Sequence, residues 1–166
     1  QCTADFSYAN GKVLRFPDKE SNPDAEYYKK TKYVYNSDGT VSYDSFRVKT
    51  STGNEEESRS TGKMTFKDGN MTKLEVSDGG DLFVYEYDTK NNPFRNVLGF
   101  SLLMEAESGG VNNLIKQTQT SGSGENIYTY VSIYTYKYNA NGYPTEKVAT
   151  FPNGTSTSTE TTNYTY

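Results

Sequence analysis

Aromatic side chains running into Asn-Gly or Asp-Gly turns recur along this chain, and that pattern restricts its fold more than any other feature. FSYANG (6–11), YVYNSDG (33–39), MTFKDG (64–69), YEYDTKNNP (85–93), YKYNANG (136–142) and TFPNG (150–154) share it. In each, an aromatic closes a strand, and the Asn, Asp and Gly that follow tolerate the positive-φ backbone of a tight hairpin. Asp78-Gly79-Gly80-Asp81 supplies a seventh turn. The unequal spacing between turns excludes the fixed period of a solenoid.

Between turns, side chains alternate with the period of a strand. Tyr33 and Tyr35 share a face, as do Met64 and Phe66, and Leu74 and Val76. From Ile127 to Tyr138, Tyr128, Tyr130, Tyr134, Tyr136 and Tyr138 fall on one face, and Ile127, Val131 and Ile133 on the other. Phe83, Tyr85 and Tyr87 likewise oppose Leu82 and Val84. Two apolar sides predict that both faces are at least partly covered. At Tyr43-Asp44-Ser45-Phe46 the alternation skips a step, which a β-bulge would explain. The polar stretches 21–26, 51–61 and 121–125 read as loops. Residues 93–116 lack strict alternation: Asn92 can cap a helix start, Pro93 fits its first turn and Gly99 can end it. This segment reads as a short helical or irregular crossover that covers a face of the sheet or plugs an open end.

Composition sharpens the picture. Leu, Ile, Val and Phe number 28 of 166 residues, 17%, below the roughly 20% that warns of disorder. Yet net charge is only −4 and aromatics reach 14%, whereas disordered chains pair high charge with few aromatics. The 16 Tyr therefore pack where aliphatic residues do elsewhere, and a ring with a hydroxyl that stays wet or bonded suits a thin layer. The expected fold is all-β, an antiparallel hairpin meander of about ten strands over 1–166 as a single domain. It is expected to be strongly curved or a partly open barrel, with a two-sheet sandwich as the alternative.

Several chemistries drop out. Without any His, Ser-His-Asp and Cys-His pairs, His-ligated zinc and imidazole bases are excluded. The single Cys2 cannot close an internal disulfide or a Cys-rich metal site. The acidic balance shows no basic block for nucleic acid, and no apolar run approaches the roughly 20 residues of a membrane helix. Neither a cofactor nor a metal is expected: NSDG (36–39) and SDGGD (77–81) lack the ligand spacing of a calcium loop and read as turns.

YEYDTKNNPFRNVLGF followed by VNNLIKQT, set among Y-x-Y-[ND]-x-[DN]-G turns, resembles the Bacteroides-type secreted lipoproteins whose domain of unknown function is described as porin-like, with YD-repeat-like hairpins. The resemblance spans Tyr33 to Tyr138. It implies a meandering antiparallel sheet, export to the cell envelope, periplasm or outer-membrane surface, and a lipid tether upstream of the strands. It implies no enzyme activity and transfers no catalytic residues. Gln1 fits a signal-peptidase site poorly, so Cys2 reads as an ordinary strand thiol rather than the lipidated residue.

The candidate binding residues are the tyrosine row 128, 130, 134, 136 and 138. A flat aromatic row can stack sugar rings or bind a partner strand; equally, it can be one packed face of the sheet. Carboxylates are the remaining catalytic candidates: Glu86 and Asp88 share a strand face at a spacing that could approach a glycosidase pair, Glu105 and Glu107 sit in the irregular segment, and neither pair has an accompanying signature. The expected function is a non-catalytic envelope or surface β-module, structural or binding glycan or protein. A half-barrel carrier of a small apolar ligand and a carboxylate-dependent glycan hydrolase stand as alternatives.

Overall fold

A computed structural model describes residues 7–9, 12–18, 26–56, 60–102, 104, 106–107, 109–124, 126–154 and 156–166. Cys2 and the Asn10-Gly11 turn lie outside the described residues. The described chain is an all-β hairpin meander, hydrogen-bonded in sequence order from β1 to β11. Among the described residues every strand pairing is antiparallel, and none joins β11 back to β1. Its residues group into two compact units, one drawn from Gln1–Met64 and Val76–Asp78, the other from Thr65–Glu75 and Gly79–Tyr166.

The first unit holds β1 (Ser7–Ala9), β2 (Lys12–Asp18), β3 (Tyr27–Tyr35), β4 (Val41–Lys49) and the start of β5 (Ser60–Lys67). Asn36, Asp38 and Gly39 build the β3–β4 turn as expected. Asn36 N–H donates to Thr40 O at 2.9 Å, Asp38 Oδ1 accepts from Thr40 N–H at 3.0 Å, and Gly39 takes a φ of 82°. Val41, Val48 and Met64 are buried, and the buried Thr31 and Ser45 hydroxyls pair at 3.0 Å. The β-bulge expected at Tyr43–Phe46 is absent: β3 and β4 pair without a break from Tyr27↔Lys49 to Tyr35↔Val41. Phe46 faces the opposite side from Tyr43 and is satisfied there by the Lys32 ammonium, 4.3 Å from its ring centre. Nearby, Glu55 joins Lys30 and Lys32, each at 2.5 Å, and these hydrogen bonds lower its carboxyl to about 2.

The second unit takes the end of β5, then β6 (Asn70–Val76, to Glu75), β7 (Leu82–Tyr87), β8 (Leu114–Ser123), β9 (Asn126–Tyr138), β10 (Pro144–Asn153) and β11 (Ser156–Asn163). Asp68 and Gly69 both adopt positive φ, 52° and 78°, the signature of the hairpin turn their sequence predicts. Two loop boundaries differ from the expectation. Ser60 and Thr61 begin β5, and Ser121–Ser123 belong to β8, because cross-strand pairing continues through these polar residues.

The crossover also differs in detail. It ends at Asn113 rather than 116, since Leu114 is buried at the start of β8. Its helical part is one 3-10 turn, Phe100–Leu102, which Gly99 precedes at a φ of 88° instead of ending. Asn92 does cap the preceding turn: its Oδ1 accepts from Phe94 N–H at 2.8 Å, and Phe94 stacks on Phe100 at 4.6 Å. Met71, Tyr85, Leu114, Tyr134 and Ala149 form the buried apolar set of this unit. Two of these five are tyrosines, in line with a thin aromatic layer.

Candidate functional site

Strand β9 carries the candidate row, and its thirteen residues place every even position on one face. The two ends of that face have different surroundings. At the C-terminal end, Tyr134 is buried and meets Phe151 edge-on at 6.1 Å. Tyr136 donates its hydroxyl to Leu114 O at 2.8 Å and stacks on Tyr138 at 5.9 Å. Tyr138 in turn donates to Asp88 Oδ2.

The crossover covers this end, held by asparagines. Asn92, 1% exposed, donates Nδ2 to Glu107 O at 2.8 Å and to Asn112 O at 3.3 Å. Asn70 Oδ1 accepts from Val111 and Asn112 N–H, both at 3.0 Å, while its Nδ2 reaches Asn112 Oδ1 at 2.9 Å. Asn113 donates its backbone N–H and side-chain amide to Asp88 at 3.1 to 3.3 Å. Tyr87 donates to Met71 O and Ala106 O. Glu107 then ion-pairs with Lys147 of β10. Burial pushes the Tyr87 and Tyr136 hydroxyls above the usual phenol value, with the Glu107 charge adding to Tyr136. Tyr138 is raised by burial first and by its bond to Asp88 second.

The N-terminal end of the same face is open. Tyr128 and Tyr130 are 58% and 48% exposed. Across the ladder Tyr128 faces Ser121, and Tyr130 faces Gln119, whose amide donates to Ser121 Oγ at 3.0 Å. One strand further, Phe83 faces Gln119 and lies parallel to Tyr85 at 6.4 Å. Phe83, Gln119 and Ser121 are the residues that the sequence reading missed; only register brings them beside the tyrosines.

On the reverse of the sheet, the cover among the described residues is thin. Ile127 is 58% exposed, and Val131, Ile133 and Val84 about 40%. Their neighbours on that face include Thr118, Thr120, Thr129 and Thr150, with Lys116 opposite Ile133 and Lys73 opposite Val84, so a β-branched surface with interspersed hydroxyls and charges meets solvent there.

The carboxylate pairs are not brought together as acid and base. Glu86 pairs with Lys116 at 2.7 Å, Asp88 is bound by Asn113 and Tyr138, Glu107 is bound by Lys147, and Glu105 lies outside the described residues. A concavity of about 380 Å³ lies between Lys67, Asn70, Thr72, Tyr85, Asp88 and Asn112. Its Asn70, Asp88 and Asn112 groups are spent on the crossover, which gives it a structural role. No family model, curated protein or solved structure matches the chain.

Proposed function

We propose that the protein is a non-catalytic β-module of the cell envelope that holds glycan on the open end of its tyrosine face. The observation that carries this reading is the pair Tyr128 and Tyr130, left exposed on a strand whose remaining tyrosines are packed. Sugar rings present C–H faces that stack on aromatic rings, and their hydroxyls pair with groups such as the Gln119 amide and Ser121 hydroxyl. Phe83 and Tyr130 stand two strands apart, roughly 9.5 Å, a span that suits alternate rings of an oligosaccharide. The hydrogen-bonded ladder beneath holds these groups in place before any ligand arrives, which lowers the ordering cost of binding. The envelope setting rests on the resemblance carried by YEYDTKNNPFRNVLGF.

A glycan array on the full chain, followed by calorimetry on the best ligand, tests the reading. Each ring is worth about 0.5–1.5 kcal/mol, so the double variant Tyr128→Ala/Tyr130→Ala is expected to bind about tenfold more weakly. An array with no retained glycan, or full affinity in the double variant, overturns it.

A further inference from the structure

The last strand of the ladder, β11, pairs with β10 through eight consecutive residue pairs, Asn153↔Ser156 to Glu146↔Asn163, without a bulge. Among the described residues no strand pairs with its other edge. Natural sheets blunt such edges with short strands, bulges, Pro or Lys. The opposite edge fits that rule: β1 carries a register shift between Ser7 and Tyr8. The edge at β11, STSTETTN, has none of these devices and one charge, Glu160.

The direction of its backbone groups follows from register. Tyr164 N–H donates to Thr145 O at 3.0 Å, one step past the Asn163↔Glu146 pair. Hydrogen-bonded pairs alternate along an antiparallel ladder, so the even residues of β11 bond to β10. The odd residues Thr157, Thr159 and Thr161 therefore turn N–H and C=O outward. Pro152, which has no N–H to give, sits opposite Thr157 at one of the non-bonded pairs, as this phase requires.

We propose that β11 is a self-pairing edge, through which two copies of the chain join antiparallel with Thr159 facing its own counterpart. This register matches outward residues to outward residues: Thr157 to Thr161, Thr159 to Thr159, and Thr161 to Thr157. Three such pairs make six backbone hydrogen bonds. Charge selects it over its neighbour. A shift of two in the pairing sum sets Glu160 directly against Glu160, a destabilising like-charge contact, whereas the Thr159-centred register sets Glu160 against Ser158. The threonines also meet as cross-strand hydroxyl pairs on the exposed β-branched face. An edge contact of this kind buries less than about 1,200 Å² and belongs to the weak, concentration-dependent class.

Analytical ultracentrifugation of the full chain over rising concentration tests the proposal. The wild type is expected to shift from monomer to dimer in the micromolar range. Thr159→Pro removes an N–H that β10 does not use, so the fold signal in circular dichroism should persist. Losing two of the six bonds should weaken the dimer about tenfold or more. Thr159→Lys sets two like charges face to face and is expected to act in the same direction. For register, Thr159→Cys in a Cys2→Ser background is expected to oxidise to a linked dimer, since paired residues lie about 5.5 Å apart, within disulfide reach. A wild type that stays monomeric throughout, or a Thr159→Pro chain that dimerises as the wild type does, overturns the proposal. Because none of these variants touches Tyr128 or Tyr130, glycan binding and self-pairing can fail separately.

Discussion

Tyr134 and Tyr130 sit four residues apart on one face of β9, with the same ring and the same strand geometry. One is 6% exposed and the other 48%. Nothing within the strand accounts for that. Tyr134 lies where β10 brings Phe151 and where the crossover brings Glu107 to Lys147, whereas Tyr130 lies beyond both. One tyrosine pattern thus serves two purposes: as core where a distant segment folds over it, and as surface where none does. Burial on this sheet is decided by what crosses the face, with side-chain type only making it permissible.

The sharpest way to break this comparison is to truncate both rings. Tyr134→Ala is expected to cost about 3–5 kcal/mol, the usual loss for a buried aromatic. Tyr130→Ala should stay within about 0.5 kcal/mol, as for a surface site. Equal losses in urea denaturation would show that the two ends are not distinct.

A second test removes the cover and leaves the rings. Asn92→Ala deletes the acceptor for Phe94 N–H and the donors to Glu107 O and Asn112 O. With these three bonds of a buried side chain lost and their partly buried partners left open to water, a loss of about 1–3 kcal/mol is expected. Quenching of tyrosine fluorescence should rise as Tyr134 and Tyr136 open. If quenching is unchanged, the crossover does not shield them.

The smallest effect appears only in alkali. Tyr87, Tyr136 and Tyr138 have folded-state values raised above the ordinary 10.0. Their contribution is intact below pH 10 and is lost as the pH climbs from there towards their raised folded values. The unfolded chain has then released protons that the folded chain still holds, so stability falls with rising pH. Tyrosinate absorbance read alongside circular dichroism should show the late tyrosines ionising with unfolding. In Tyr136→Phe the fall should be shallower; an unchanged slope would mean that its hydroxyl is not held protonated by burial.

Much of this fold is legible from local chemistry. Asp68-Gly69, Asp38-Gly39 and Asn141-Gly142 sit where their residues prefer to turn, and Asn92 caps because its short side chain reaches the N–H two residues on. An aromatic out of phase does not by itself mark a bulge. Phe46 needs no bulge, since a lysine from the neighbouring strand caps its ring. Two of the register shifts that do occur, at Glu86/Tyr87 and Pro144/Glu146, have no comparable mark in the alternation. Of the asparagine clamp, the sequence displays the Asn91-Asn92 and Asn112-Asn113 pairs; that Asn70 meets Asn112 from 42 residues away is invisible locally.

By itself, then, the sequence determined the class of fold: turns at Asn-Gly and Asp-Gly, strands of alternating tyrosine between them, and the exclusion of histidine and disulfide chemistry. These follow from backbone preferences and from which residues are present, and neither depends on distant neighbours. Tertiary structure alone decided which tyrosines are core, which remain open, and that Ile127, Val131 and Ile133 face solvent. A strand exposes two faces with equal readiness. Which one is covered depends on contacts such as Tyr138 to Asp88, 50 residues apart, which no local pattern encodes.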